Sequence, residues 1–337
     1  MTPPRPPVGL VLGSELAPEH LATAARRAEE QGFRELWLAE DYFLTGGVAG
    51  AAMALAATTE VPVGLGVVSA VTRHPALLAM EIATLARAHP GRVRPAIGLG
   101  VPGWLDQMGV RPPSPLTAVR EAVAAVRALL EGDTLDGTRG PFHFDGVRLA
   151  YPPAERLPIA TGVAGPRMLE LSGEVADATL LSVLVGPDYV RWARERIRAG
   201  AERAGRDPAA HRVTAFAIYG VDEDGAAAKR AVRETAAFYL AAGGPNAITD
   251  AAGISDDLAA LIARGGAAAV AQDAPDAWFD DLTVAGTPDQ VTAGIDRLLD
   301  AGADRVALFP VPSDTIDRQG ELTARAVLPR LRSRDDA

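Results

Sequence analysis

Two carboxylates stand side by side at Glu40-Asp41, directly after the apolar run Leu36-Trp37-Leu38-Ala39. Adjacent acids repel unless solvated or paired, and such a pair can hold one proton at a raised pKa, which suits general acid–base work. A third acid, Glu15, follows the apolar run Val8–Leu12 and precedes a helix start near Pro18. There it serves either the helix dipole or an active site. A different chemistry is written in Thr161-Gly162-Val163-Ala164-Gly165-Pro166-Arg167. Small residues run into a helix with proline in its first turn, so free N–H groups, the positive helix end and the Arg167 cation together make an anion site suited to phosphate. A plain tight turn would explain the glycines but not the arginine. Glycines recur in Gly64-Leu65-Gly66-Val67-Val68 and in Gly98-Leu99-Gly100-Val101. Within strands they mark a bulge, and at strand ends they let a flat ring or a phosphate approach the backbone. His74, just before Pro75, fits capping or packing better than catalysis. Trp104 fits a pocket lining and a core position equally.

Other chemistries are excluded or disfavoured. The chain has no cysteine, which removes disulfides, zinc–thiolate sites, iron–sulfur clusters and thiol nucleophiles. It has no P-loop, no H-E-x-x-H and no nucleophile elbow, and its 5 histidines show no paired metal spacing, so no metal is expected. The net charge of −10 disfavours nucleic acid as a partner and suits solubility. Met1–Pro7 lacks the pattern of a secretory signal, and no apolar run reaches the roughly 18 residues of a membrane span. A cytoplasmic location without membrane contact is expected, with a small molecule as partner and a homodimer as the expected form of any self-association.

These residues need elements to hold them. Short β-type runs alternate with amphipathic helical runs along the chain, which predicts a parallel sheet with crossover helices. Strands are expected at Val8–Leu12, Glu35–Ala39, Val61–Val68, Val93–Leu99, Pro158–Val163, Ala178–Val183, Val213–Val221 and Arg305–Phe309. Helices follow from about Pro18, Val48, Pro75, Leu116, Pro166, Asp188 and Ala226, with Pro288–Ala301 before the last strand and another from about Thr315 after it. Eight such units predict a closed (β/α)8 TIM barrel, read as one domain over 1–337. The first turn, Gly13-Ser14-Glu15, is not the fingerprint of an open dinucleotide-binding sheet. Two segments stand outside the repeat. Gly137–Pro153, with alternating Phe142, Phe144, Val147 and Leu149, reads as a hairpin inserted before strand five. Ala241–Asp281 reads as a helical insertion near the barrel mouth after strand seven, placed to act as a lid. In a barrel of this kind the chemistry sits at the C-terminal strand ends, where the acids and glycine turns lie.

Four motifs in order carry a family resemblance. They are Gly13-Ser14-Glu15 with Ala28-Glu29-Glu30-Gln31-Gly32-Phe33 and Leu36-Trp37-Leu38-Ala39-Glu40-Asp41; Thr72-Arg73-His74-Pro75 with Ile82-Ala83-Thr84-Leu85; Gly165-Pro166-Arg167-Met168-Leu169-Glu170-Leu171 with Gly173-Glu174-Val175-Ala176-Asp177; and Ala285-Gly286-Thr287-Pro288 with Ala301-Gly302-Ala303-Asp304. Across nearly the whole chain the sequence resembles the luciferase-like flavin and deazaflavin oxidoreductases, most closely the coenzyme F420 branch typified by methylenetetrahydromethanopterin reductase. The resemblance implies a bulge on strand three with a non-prolyl cis peptide at Gly66–Val67 behind the deazaflavin ring, a phosphate contact at Val163-Ala164-Gly165, and Glu15 in proton transfer. One position departs from the pattern: Asp41 stands where the family usually has histidine, so acid–base roles do not carry over directly. The loop after strand four is shorter than in the methanopterin reductases and lacks their acid, so the pterin substrate does not carry over either.

The reading that results is a hydride-transferring oxidoreductase. Glu15 and Asp41 are the candidate acid–base groups. Glu40, Asp41, Gly66, Val67, Gly98, Gly100, Val101, Thr161, Gly162, Val163, Ala164, Gly165 and Arg167 are the candidate cofactor contacts. The alternatives are an FMN-dependent monooxygenase using oxygen and a non-catalytic barrel kept as a binding subunit.

Overall fold

A computed structural model describes residues 6–13 and 15–331. The strands are β1 (Val8–Leu12), β2 (Leu36–Leu38), β3 (Val63–Ser69), β4 (Val93–Gly98), β5 (Leu135–Arg139), β6 (Phe142–Val147), β7 (Ala160–Gly162), β8 (Ala178–Leu181), β9 (Arg212–Val221), β10 (Val284–Gly286) and β11 (Arg305–Pro310). Helices α1 (Pro18–Glu30), α2 (Gly47–Ala57), α3 (Pro75–Ala88), α4 (Pro102–Gln107), α5 (Pro115–Leu130), α6 (Pro166–Val175), α7 (Pro187–Arg203), α8 (Gly225–Gly243), α9 (Ala247–Ala251), α10 (Ser255–Asp273), α11 (Asp276–Leu282), α12 (Pro288–Asp300) and α13 (Ile316–Ala326) lie between and after them.

Strands β1, β2, β3, β4, β7, β8, β9 and β11 pair in parallel in that order, and β11 returns to β1. This is the expected closed (β/α)8 barrel. The expected hairpin is β5–β6, antiparallel and inserted before the fifth barrel strand, β7. The helical insertion comprises α9, α10 and α11. Of these, α10 and α11 share with α8 a core that includes Ile218 of β9, Val311 after β11 and Leu184 after β8, all toward the C-terminal strand ends, while Ile248 of α9 packs into the main core. Two elements differ from the sequence reading. The three residues of β10 add to the open edge of β9, at Val284↔Tyr219 through Gly286↔Val221. They are too few to show an alternating pattern. The loop after β4 turns into the short helix α4, started by Pro102.

Alternation along the strands divides the core. In β2, Leu36 and Leu38 face the helices while Trp37 faces the barrel interior, where it joins Val11, Ala96, Ala160, Leu180, Phe216 and Ala307. The Trp37 indole N–H donates to Glu35 Oε1 at 2.8 Å. Arg305 Nη1 donates to Glu35 Oε2 at 2.7 Å, which neutralises a carboxylate that is fully buried.

Helices α6 and α7 approach unusually closely. A Cβ on Gly173 would lie 2.0 Å from the Ile197 carbonyl oxygen, and one on Gly200 would lie 1.9 Å from that of Glu170. The two glycines let each backbone enter the groove of the other. Gly200→Ala would force the pair apart, and the expected loss of stability is about 3 kcal/mol. It is read as a lowered urea midpoint at unchanged slope.

Candidate active site

The third barrel strand bulges where the glycines predicted it: the pairing of β3 with β4 shifts register between Leu65 and Val68. The Gly66–Val67 peptide is cis, and Tyr42–Phe43 is a second non-prolyl cis peptide. A Cβ on Gly64 would sit 2.2 Å from Trp37 Cε3, and one on Gly66 would sit 2.8 Å from the same atom. Both glycines are therefore dictated by the indole. Val67 in turn fills the space beside two further glycines: a Cβ on Gly162 would lie 2.3 Å from Val67 Cγ1, and one on Gly98 would lie 2.8 Å from Val67 Cγ2. The sequence reading gave Gly98 to an approaching ring or phosphate and Gly162 to the phosphate turn; in the structure each also makes room for the Val67 side chain. Gly100 has φ +94, a conformation that favours glycine, and faces Ser69 and the Tyr42 hydroxyl. Val101, 47% exposed, caps the start of α4 at the rim.

The adjacent acids part company. Glu40 accepts two hydrogen bonds from Arg73, at 2.7 and 2.8 Å, and a third from the Gly47 N–H at 2.9 Å. Its side chain is 5% exposed. Such a bidentate pair fixes the Glu40 carboxylate in the scaffold. Arg73 also reaches Glu81 at 3.4 Å; there burial pushes the Glu81 carboxyl up, against the opposing pull of Arg73. Asp41 faces elsewhere. Together with Glu15 it acts on the phenol of Tyr239 near the C-terminal end of α8: burial first, then these two carboxylates, push that phenol above its ordinary range. The Tyr239 ring meets Phe309 edge-on at 6.4 Å. Phe309 lies against Gly13, where a Cβ would meet its ring at 2.5 Å. The structure thus gathers Glu15, Asp41, Tyr239 and Phe309 at the barrel mouth. Ser14, in the same turn, lies outside the described residues. Nearby, Tyr42 packs on Trp104 at 5.6 Å, which makes Trp104 part of this rim.

Sequence reading missed Arg73 as a partner and Tyr239 altogether. Arg73 stood within a quoted motif, and an arginine one strand from an acid was the available signal. Tyr239 carried none, because α8 reaches the mouth only through tertiary packing. His74 behaves as read. Its Nδ1 accepts the Ala76 N–H at 3.2 Å as the cap of α3, its Nε2 lies 3.1 Å from the His143 carbonyl, and its ring packs on Phe144 at 4.9 Å.

The turn from β7 into α6 is open. No side chain caps α6, and a Cβ on Gly165 would meet nothing within 4 Å. Arg167 is exposed and makes no ion pair or hydrogen bond among the described residues. Val163 and Ala164 are half-buried in the same turn. Thr161 departs from its expected role. It is fully buried, and its hydroxyl donates to Ser172 Oγ at 2.6 Å. Ser172 lies 2.6 Å from Thr179, which lies 2.8 Å from His211 Nε2. The chain of hydroxyls ends on the buried imidazole of His211. No group of three or more metal-ligating side chains occurs among the described residues, and no described helix is long and apolar enough to cross a membrane.

Comparison with known proteins adds to this geometry. The family model described as luciferase-like monooxygenase matches residues 1–305. A 5,10-methylenetetrahydromethanopterin reductase of Methanolobus tindarius is 33% identical over 308 residues, 88% of this chain and 93% of that protein. The structure of a coenzyme F420-dependent tetrahydromethanopterin reductase from Methanopyrus kandleri superposes with a TM-score of 0.86 at 25% identity, covering 97% of this chain and all of that one. An F420-dependent secondary alcohol dehydrogenase shares the fold, with a TM-score of 0.80 at 21% identity.

The buried imidazole generates a prediction. Burial, then the Arg194 and Arg206 cations, hold His211 down to about 4 from an ordinary 6.5. Between these values the unfolded chain binds the proton that the folded chain refuses, so stability falls as pH drops from about 6.5 to about 4. The total loss is about 3 kcal/mol. Asp177, held at about 2 by Arg156 and its other partners against the effect of burial, contributes its own loss only below that window. Urea unfolding of His211→Gln across pH 4 to 7 should show the flatter dependence; an unchanged slope would assign the effect elsewhere.

Proposed function

The chain belongs to the luciferase-like monooxygenase family, and from that premise we propose that it is an oxidoreductase moving a hydride between coenzyme F420 and a small organic substrate. The observation that carries this reading is the near full-length relationship, at 33% identity, to a protein named as a reductase. Coenzyme F420 when bound supplies a carbon centre that takes or gives a hydride and reacts poorly with oxygen.

The residues fit such a group. The uncapped end of α6 and the unpaired Arg167 suit a phosphate, with Ala164 and Gly165 presenting backbone rather than side chains to it. The β3 bulge at Gly66–Val67 is wedged from behind by Trp37 and held laterally by its seat on Gly98 and Gly162, so it offers a stiff backbone against a flat ring. Asp41 and Glu15 are the acids in position to carry a proton to or from the substrate. Tyr239, kept protonated beside them, can donate a hydrogen bond to a substrate oxygen. Helices α10 and α11 of the insertion, packed near the strand ends, limit water at the mouth.

We read the whole of 1–337 as one domain acting in the cytoplasm. A homodimer would cover Met53, Leu77 and Met80, which expose 38%, 53% and 49% of their surface on α2 and α3. FMN with oxygen as co-substrate is the alternative chemistry for the same turn. Fluorescence titration should give coenzyme F420 an affinity at least about tenfold tighter than FMN. Equal or tighter FMN binding would overturn the assignment. Gly165→Asp, which puts a charged side chain into open space at the helix end, should weaken coenzyme F420 binding by about a hundredfold or more while thermal unfolding stays that of the parent. Retained affinity in the folded variant would place the phosphate elsewhere.

A further inference from the structure

We infer that Tyr189 is a positioning residue for the anion-binding turn between β7 and α6, setting the direction and strength of the Gly165 N–H through the peptide that Gly165 shares with Ala164. The inference rests on the phosphate site proposed above.

Tyr189 lies in the first turn of α7 and is 1% exposed. A buried phenol needs a partner for its O–H. Here the hydroxyl donates to the Ala164 carbonyl oxygen at 2.6 Å. Burial pushes the phenol above its ordinary range, so it is a donor throughout the working pH range. The Ala164–Gly165 peptide is trans, being absent from the cis bonds of the described chain. In a trans peptide the C=O and N–H point in opposite directions. Anchoring the Ala164 oxygen on Tyr189 therefore turns the Gly165 N–H away from the core. Hydrogen bonding to the carbonyl also polarises the amide and makes that N–H a stronger donor to an anion.

The contact goes with the close packing of α7 on α6 described earlier. Gly173 and Gly200 bring α7 against α6. At the start of α7, Tyr189 reaches the turn directly through its hydroxyl. Among the described residues no side chain caps the turn, and Thr161, two residues upstream of Val163, spends its hydroxyl on Ser172. The anion site thus has a built support on its inner side and open space on its outer side.

Tyr189→Phe removes the one oxygen and little else. The test compares two ligands on that variant, coenzyme F420 and the deazaflavin riboside that lacks the phosphate, each by fluorescence titration, with thermal unfolding measured in parallel. The dissociation constant for coenzyme F420 should rise about fivefold or more, while that for the riboside stays within about twofold. Both ligands meet the same folded protein, so a general loss of stability cancels from the ratio. Equal weakening of both ligands, or of neither, would overturn the inference. Gly165→Asp measured in the same way separates the two levels of the argument. If it abolishes the preference for the phosphate-bearing ligand and Tyr189→Phe leaves that preference intact, the positioning role falls alone. If Gly165→Asp also leaves the preference intact, the site itself falls, and the role of Tyr189 with it.

Discussion

The buried indole of Trp37 sets the interior of this barrel. Its N–H is satisfied by Glu35, whose carboxylate is neutralised by Arg305, so the ring has one orientation in which its polar edge is paired. In that orientation it occupies the space beside Gly64 and Gly66, where any side chain would collide with it. The third strand must therefore be bare on that face. It bulges there and directs Val67 sideways, and Val67 makes the same demand of Gly98 and Gly162. Four glycines on three strands thus follow from two apolar side chains. The floor of the mouth is a packed, stiff backbone surface, because interiors at this density leave little room for adjustment.

Above that floor the charges are sorted by partner. Consecutive residues at a strand end project in different directions, and Glu40 and Asp41 show the consequence. Glu40 turns to Arg73 and becomes part of the scaffold that joins the loops after β2 and β3. Asp41, with Glu15, acts on the phenol of Tyr239. Pairing the first with a guanidinium separates its role from that of the second, which shares the neighbourhood of Tyr239 with Glu15. The phenol near these two acids, held above its ordinary range, adds a hydrogen-bond donor to the group.

The two ends of the barrel have different work. Asp177 and His211 lie on the segments leading into β8 and β9, within a network of buried hydroxyls and partly exposed arginines that ties α6, β8 and β9 together. Disturbing it costs stability. The C-terminal ends carry the open turn at Gly165, the acids and the aromatic rim of Tyr42 and Trp104. This division matches the general rule that a parallel barrel keeps stability at one face and chemistry at the other. The insertion after β9 adds its own apolar core on the chemical face, which brings Tyr239 and Phe309 together.

Much of this was legible in the sequence. Periodicity placed all eight barrel strands, with β1 and the helices Pro75–Ala88 and Pro166–Val175 bounded as found, because long amphipathic repeats with proline at helix starts leave few alternatives. The glycine-rich turn before Pro166 and the hairpin with alternating phenylalanines were equally plain. The residues that decide what the acids do were not. Glu40 meets Arg73 across 33 positions, Asp41 acts on Tyr239 across 198, and Tyr189 reaches back 25 to Ala164. Local pattern carries backbone periodicity and turn chemistry, which depend on neighbours in the chain. The partner of a carboxylate, and whether a glycine makes room for a ligand or for the valine beside it, depends on which strands the closed barrel sets next to each other, and only the tertiary structure decides that.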